Sequence, residues 1–421
     1  MVVILNILRT GLLTSVATVA RLLSGFLVMK FVAVLAGPEG VAQLGQFMSL
    51  TALLVVFSGG GVGAGVVKYV AEYREQNLPL QNLLNSAFSF SLVSSFVMCI
   101  AVLAFSDRIT LWLLGDPRYE SLIVVLAFAQ IFVALHNLII AIINGMMDVK
   151  RLAAIHVGGA ALGVLTPLLM GYYFQLYGVL LAFLLAQASL LLVSFAFYKK
   201  SNYFDWSFFR LKWDVETVKN LSRYALMTLT SALLAPVVQI ATRNILANKF
   251  SWEQVGYWQA VSKVSEAYLL FITMAITVYY LPKLSSIADR KLFVAEIKSA
   301  YQYLFPAVVV SALGIYIFRD IITHLLFSDA FSGALYLYAP QLLGDVIKIM
   351  AFLLSFIMLA KAMTKLFVFS EIFFSLTYIG WTYFLTDYFG LVGAMYAFVV
   401  NYAIYFIFCF MVTRRFISTM K

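Results

Sequence analysis

Apolar stretches of about 20 residues, the length that crosses the hydrocarbon core of a bilayer as a helix, recur along this 421-residue chain with only short polar interruptions. Taken between Gly, Pro and charged breaks, they fall near residues 11–36, 41–66, 82–106, 120–144, 152–174, 178–198, 222–247, 252–281, 299–318, 334–360, 364–385 and 390–412. Lipid offers no hydrogen bonds to a backbone, so such segments must satisfy their own and cross as helices. With 63% hydrophobic and 11% charged residues, the chain lacks the polar surface that several soluble domains would need. The expected fold class is therefore all-α, a polytopic membrane protein of twelve transmembrane helices. The first run is too long for the core of a secretory signal, and we expect it to be retained.

Loop charge sets the orientation. Alternate loops carry Lys68 and Arg74, Lys150 and Arg151, the cluster from Lys199 to Arg223, Lys283 to Lys298, and Lys361 with Lys365, while the tail adds Arg414, Arg415 and Lys421. The opposite loops hold only Arg108, Arg118, Lys249 and Arg319, a ratio of about 20 to 4 once Arg9 joins the basic side. Both termini are expected on the cytoplasmic side. The net charge of +10 is mostly this topological signal, and nucleic acid is not an expected partner. Cys99 and Cys409 lie in apolar runs with no metal-site spacing and read as packing residues.

The longest polar connection, 199–221, divides the runs into a first lobe, 1–198, and a second lobe, 222–421. Each lobe starts on the same side with an even number of spans, so a repeat relating them would be parallel. Its trace is Pro38-Glu39-Gly40-Val41-Ala42 against Trp252-Glu253-Gln254-Val255-Gly256, which sets Lys30 one residue from Arg243. The connector mixes Trp206, Phe208, Phe209 and Trp213 with cations, as does Val67–Asn77 with Tyr69 and Tyr73, a composition suited to the headgroup layer. Ser251 followed by Gln254 is a capping box that starts a helix at Trp252. Pro167 and Pro236 lie inside apolar runs and favour kinks there.

Against this apolar background, ionisable residues inside the spans stand out, because they are costly in hydrocarbon and normally face a protein interior or a wet cavity. Arg21 lies about ten residues into the first run, near the bilayer centre, and is expected to face a cavity or a buried partner. Lys30 and Arg243 lie nearer the outer ends, where snorkelling competes with a site role. Nine residues at 100° each put Arg21 and Lys30 on opposite faces of an ideal helix. Lys263 with Glu266, and Asp345 with Lys348, are three apart and can neutralise one another. Glu371 has no close sequence partner and is a candidate proton or ion carrier. His136 and His156 read as packing residues. Cations outnumber anions in this set, which points to an anionic cargo.

Enzyme signatures are missing from the sequence: it contains no Walker loop, His-Glu-x-x-His, Gly-x-Ser-x-Gly or Asp-x-Asp pair. The glycine-rich stretch Gly59–Gly65 ends an apolar run with no preceding strand and reads as close helix packing. No catalysis, cofactor or metal is expected.

Lys68-Tyr69-Val70-Ala71-Glu72-Tyr73, the run Ser251 to Gln259, Tyr280-Leu281-Pro282, and Gln341 to Lys348 followed by Ala360-Lys361-Ala362 resemble the bacterial Wzx flippases, in particular those of enterobacterial common antigen synthesis. The resemblance runs over nearly the whole chain in matching order. It implies the fold of the multidrug/oligosaccharidyl-lipid/polysaccharide (MOP) exporter superfamily, with two six-helix lobes, a central cavity and alternating access. The implied cargo is an undecaprenyl-diphosphate-linked oligosaccharide, lipid III or an O-antigen unit, moved from the cytoplasmic to the periplasmic leaflet of the bacterial inner membrane. Arg21, Lys30, Arg243, Lys263 and Lys348 are then the expected diphosphate-binding residues, with Glu266, Asp345 and Glu371 for ion coupling or ion pairing. Lys263 departs from the family pattern, which has a small polar residue there. Membrane lipids, and the glycan polymerase and chain-length proteins of the same pathway, are the partners implied; monomer is the default state. An inside-negative potential favours outward movement of such an anion by roughly 2.3 kcal/mol per charge per 100 mV. A drug or organic-cation exporter of the same superfamily is the first alternative, although its cavity should favour carboxylates. A membrane-embedded glycan polymerase or transferase would need a large loop bearing acid and base residues. A purely structural scaffold would leave the cations unexplained.

Overall fold

The computed structural model describes residues 2–420, apart from the side chains of 2–17, 21, 223, 224, 226–231, 275 and 278. Arg21 therefore lies outside the described side chains. Among the described residues the chain is almost entirely helical, with no strand. Among the described residues eight helices are long and apolar enough to cross a membrane, and two of these, at 41 and 51 residues, are far longer than one crossing requires. Both are interrupted. The first helix, α1 (Val2–Ser58), turns at Gly37, whose φ of 63° belongs to the left-handed region, and Pro38 restarts it. Next come α2 (Gly63–Tyr73), α3 (Asn77–Ala104), the short α4 (Ser106–Leu114) and α5 (Glu120–Gly145). The following α6 (Val149–Lys199) breaks at Phe174 and Gln175, seven residues beyond the expected kink at Pro167.

The remaining helices are α7 (Val215–Lys249), α8 (Trp252–Ala275), α9 (Leu281–Ser286), α10 (Arg290–Ile317), α11 (Arg319–Leu326), α12 (Tyr338–Ala360), α13 (Thr364–Phe389) and α14 (Val392–Thr419). A π-helical turn, Ile276–Tyr280, joins α8 to α9. Ser251 caps α8 as expected, its Oγ accepting the Gln254 N–H at 3.3 Å. The glycines from Gly59 allow the close packing expected of them and also form a turn. Gly60 and Gly61 hold φ of 63° and 66° in the turn that ends α1, and a Cβ on Gly60 would strike the Phe90 ring.

By contact the chain divides into two compact units, residues 1–36 with 43–240, and 37–42 with 241–421. The core of the first unit gathers Val66, Leu83, Ile139, Ile142 and Tyr198, and reaches Leu221 and Ala225 of α7. That of the second gathers Leu284, Phe293, Ile349, Leu353 and Ile357. Segment 37–42 joins the second unit where Gly256 leaves room for the Pro38 backbone, which any side chain there would displace.

Local geometry repeats between the units at a constant spacing. Positive φ occurs at Met147 (60°) and Ala362 (54°), and again at Gln175 (54°) and Gly390 (64°), each pair 215 residues apart. The turn hydrogen bonds match: Met147 N to Asn144 O and Asp148 N to Ile143 O have counterparts in Ala362 N to Leu359 O and Met363 N to Met358 O. Gly178 and Gly393, also 215 apart, each sit against a carbonyl eight residues earlier, Met170 and Leu385. These correspondences extend the repeat read from Glu39 and Glu253, which lie 214 apart.

The connector after α6 is tied to the first unit. Its turn Trp206–Phe209 packs Phe208 and Phe209 on that core. Three buried side chains of α3 then accept its backbone N–H groups: Asn85 from Arg210 at 3.0 Å, Ser89 from Lys212 at 3.1 Å, and Ser86 from Asp214 at 3.0 Å. At its start Asp148 binds the Arg151 guanidinium and accepts from the Tyr203 hydroxyl at 3.1 Å, while Arg151 donates to the Lys200 carbonyl. Burial opposes charge on Asp148, but the hydrogen bonds from Arg151 outweigh it and hold the carboxyl below its usual range. Burial, followed by the Asp148 charge, pushes the Tyr203 phenol up to about 12.

Two outcomes follow for the connector. In Ser86→Ala/Ser89→Ala, the Lys212 and Asp214 N–H groups lose their acceptors, which costs on the order of 1 kcal/mol or more. Trypsin cleavage at Arg210 and Lys212 in vesicles should then accelerate about fivefold; cleavage at the wild-type rate would contradict the tie. Because the Asp148 pKa is depressed on folding, its contribution is present above the ordinary carboxylate value of about 3.9 and is lost as pH falls through the folded value. Asp148→Asn should remove that acid-side loss from the thermal unfolding profile, and an unchanged profile would contradict it.

Candidate functional site

Most of the ionisable residues singled out in the sequence fall in the second unit. Arg243, near the end of α7, is 1% exposed, which excludes snorkelling. Its Nε donates to Gln259 Oε1 at 2.8 Å, and the guanidinium lies 5.8 Å from the Trp258 ring centre, so α8 supplies both a hydrogen bond and a π face. One turn further along α8, Lys263 pairs with Glu266 at 2.6 Å, as their spacing predicts. Glu266 is 43% exposed, and its charge also reaches Arg243 and Lys348.

Asp345 departs from expectation. Among the described residues it forms no ion pair with Lys348 within 4.0 Å. Its carboxylate, 0% exposed, instead accepts from Ser265 Oγ at 2.6 Å, Gln341 Nε2 at 3.0 Å and Tyr268 OH at 2.9 Å. Gln341 also donates to Ser265 at 3.1 Å, which closes the network between α8 and α12. A buried carboxylate with three donors satisfies the requirement that a charge removed from water be hydrogen-bonded. Lys348 points its ammonium at the Phe398 and Tyr402 rings of α14, 5.5 and 5.4 Å from their centres, within electrostatic reach of Asp345, Glu266 and Glu371.

Glu371 of α13 is exposed, and the Tyr405 hydroxyl is directed at it, 3.5 Å away. His136 is a packing residue, buried with Nδ1 3.0 Å from Ser194 Oγ. Lys30 is half-buried on α1 of the first unit. Gln259, Ser265, Tyr268, Gln341 and Tyr402 were not identified from the sequence. Only Gln341, one helical turn before Asp345, carried a spacing signal.

The second unit thus brings together Arg243, Lys263 and Lys348 with Glu266, Asp345 and Glu371. Its cations have acidic companions, so the constellation is balanced rather than purely cationic. One acid, Asp345, is fixed by three donors, whereas Glu266 is accessible. Such an arrangement can exchange an accessible carboxylate for another anion without leaving the cations uncompensated.

A family model described as "Polysaccharide biosynthesis protein" matches residues 32–336. Two curated relatives, the lipid III flippases of Escherichia coli (strain K12) and Shigella flexneri, are each 30% identical over 420 residues, covering 98% of this chain and all of theirs. The chain belongs to the polysaccharide biosynthesis protein family. Its fold is that of MOP-superfamily transporters, and it is a multi-pass membrane protein. An inward-facing multidrug-resistance MATE transporter of that superfamily matches with a TM-score of 0.80 at 17% identity, covering 96% of this chain and 95% of its own. An outward-facing one matches at 0.69 and 17%, covering 98% and 96%. A MOP transporter from Pyrococcus furiosus matches at 0.64 and 17%, covering 98% and 93%.

In this family member the repeat of backbone geometry does not extend to the charges of α8, α12 and α13. At the 215-residue spacing, Asp345, Lys348 and Glu371 correspond to Gln130, Val133 and His156, and at 214 Lys263 and Glu266 correspond to Ser49 and Ala52. The scaffold is repeated, while the ionic cluster belongs to the second unit.

Removing the acceptor at the centre of the Asp345 network should be costly. Asp345→Ala takes the shared acceptor away from Ser265, Tyr268 and Gln341 and should lower stability by about 1–3 kcal/mol, with a smaller loss for Asp345→Asn. Thermal unfolding in detergent checks this, and an alanine variant as stable as wild type would contradict the network.

Proposed function

We propose that this protein flips an undecaprenyl-diphosphate-linked oligosaccharide, of the lipid III class, across the bacterial inner membrane by alternating access. The reading is supported by full-length similarity to proteins named lipid III flippases, and it is carried by one observation in the chain: a buried guanidinium, Arg243, in electrostatic contact with an accessible carboxylate that is shared with Lys263 and Lys348. A planar guanidinium matches phosphate oxygens, and lysines add point charge.

In this mechanism Glu266 compensates the cations while no cargo is bound. An incoming diphosphate takes over Arg243, Lys263 and Lys348, and Glu266 gives way. On release Glu266 returns, which prevents the cations from retaining the product. Arg21 and Lys30 of the first unit are proposed to bind the same diphosphate at a stage of the cycle. Asp345, held by neutral donors, keeps α8 and α12 in register, and Glu371 is the candidate for ion coupling. No bond is made or broken, and the protein acts as a transporter rather than an enzyme. The drug-exporter alternative is disfavoured because a site for organic cations has no need of three cationic side chains, Arg243, Lys263 and Lys348, gathered in one unit.

Translocation of a defined lipid-linked oligosaccharide in vesicles tests the reading. Arg243→Ala should reduce flipping at least about tenfold, the loss of a charge-assisted contact worth about 1.5–3 kcal/mol, with normal membrane insertion. Glu266→Gln should tighten binding of the diphosphate and slow its release. Wild-type flipping in Arg243→Ala, or transport of a cationic dye in preference to the lipid-linked sugar, would overturn the proposal.

A further inference from the structure

A second group of cations in the second unit is separate from the cluster above. Where α10 begins and α14 ends, Arg290, Lys298 and Arg414 line a groove of about 490 Å³, and Lys291 lines a contiguous hollow with Arg290 and Lys298. The volume lies within the roughly 300–1,000 Å³ typical of small-molecule sites. Its floor is apolar, formed by Ile297, Leu354, Phe406 and Phe410. Tyr301 presents its ring there, because its hydroxyl donates to the Met350 carbonyl at 2.6 Å.

Among the described residues Arg290, Lys291, Lys298 and Arg414 form no ion pair within 4.0 Å. The acids nearest in sequence are turned to other tasks: Asp289 caps α10 by accepting the Leu292 N–H at 2.8 Å, and Glu296 acts on Tyr280. A polar atom is also left without a partner in the wall of the groove. Thr413 lines it, is 5% exposed, and its Oγ1 is buried without a hydrogen-bond partner. A buried hydroxyl without a partner is costly, and a ligand oxygen would satisfy it.

The combination of cations at the mouth that form no ion pair among the described residues, an orphan hydroxyl below them and an aromatic-aliphatic floor has the chemistry of a lipid with an acidic headgroup. We propose that this groove is a binding site for an anionic phospholipid, a phosphatidylglycerol or cardiolipin. Arg290, Lys298 and Arg414 take the phosphate, Thr413 donates to a phosphate or glycerol-ester oxygen, and an acyl chain lies along Leu354, Phe406 and Phe410. The groove lies on the side that loop charge assigns to the cytoplasm, where basic pockets between spanning helices meet acidic headgroups.

Native mass spectrometry of the purified protein, titrated with phosphatidylglycerol or phosphatidylcholine of identical acyl chains, tests this. Wild type should retain the anionic lipid on the order of tenfold or more over the zwitterionic one, and the triple variant Arg290→Gln/Lys298→Gln/Arg414→Gln should lose the preference. Thr413→Val should weaken retention while keeping the headgroup preference. The control Lys199→Gln/Lys200→Gln/Lys212→Gln removes equal charge from the same side and should leave retention unchanged. Equal retention of both lipids by wild type, a preference surviving the triple variant, or equal loss in the control would overturn the proposal. So would displacement of phosphatidylglycerol by undecaprenyl diphosphate at equal concentration, which would make the groove a cargo site.

Discussion

A guanidinium enclosed in an apolar helical bundle is tolerable only if other groups replace the water it has lost, and the second unit is organised around that requirement. Arg243 receives an amide oxygen and an indole face from α8 and feels the charge of Glu266. Glu266 is held by Lys263, and Lys348 completes the set from α12 between the rings of α14. Breaking a buried charge pair costs more than the pair contributes to stability, so such a cluster is poor evidence for stability and better evidence for a hydrated functional interior.

Backbone and charge follow different rules in this protein. Turn geometry, glycine placement and hydrogen-bond pattern recur 215 residues apart, as between Met147 and Ala362 or Gly178 and Gly393. Those features are dictated by how two helices join tightly, and both units face the same steric problem. Apart from Glu39 with Glu253 and the near-match of Lys30 with Arg243, the ionisable side chains do not recur: Gln130 stands where Asp345 does, and Ser49 where Lys263 does. A repeated scaffold with its ionisable side chains concentrated in one copy is the arrangement expected if one unit carries most of the recognition chemistry.

The helical character, the Ser251 cap and the Lys263–Glu266 pair were legible in the sequence because each depends on residues within one or two turns. The partners of Asp345 were not, since Ser265 and Tyr268 lie on another helix about 80 residues away and nothing in local spacing links them. Spacing alone favoured Lys348, which turned instead to the aromatic rings of α14. The break in α6 fell at Phe174 and Gln175 rather than Pro167, because the chain reverses where Gly178 can pack against Met170, whereas the proline sits inside a continuing helix. The tie between the connector and α3 was hidden for a related reason. Asn85, Ser86 and Ser89 resemble ordinary small polar residues of a membrane helix until the backbone they bind is in place.

The central claim is that the cations of the second unit recognise the diphosphate of a polyprenyl carrier. Its most direct test is the affinity of the purified protein for undecaprenyl diphosphate, undecaprenyl monophosphate and undecaprenol, measured in wild type and in Arg243→Ala/Lys348→Ala. The account predicts affinity falling in that order for wild type and nearly equal affinities in the double variant. Equal affinity of wild type for all three would contradict it.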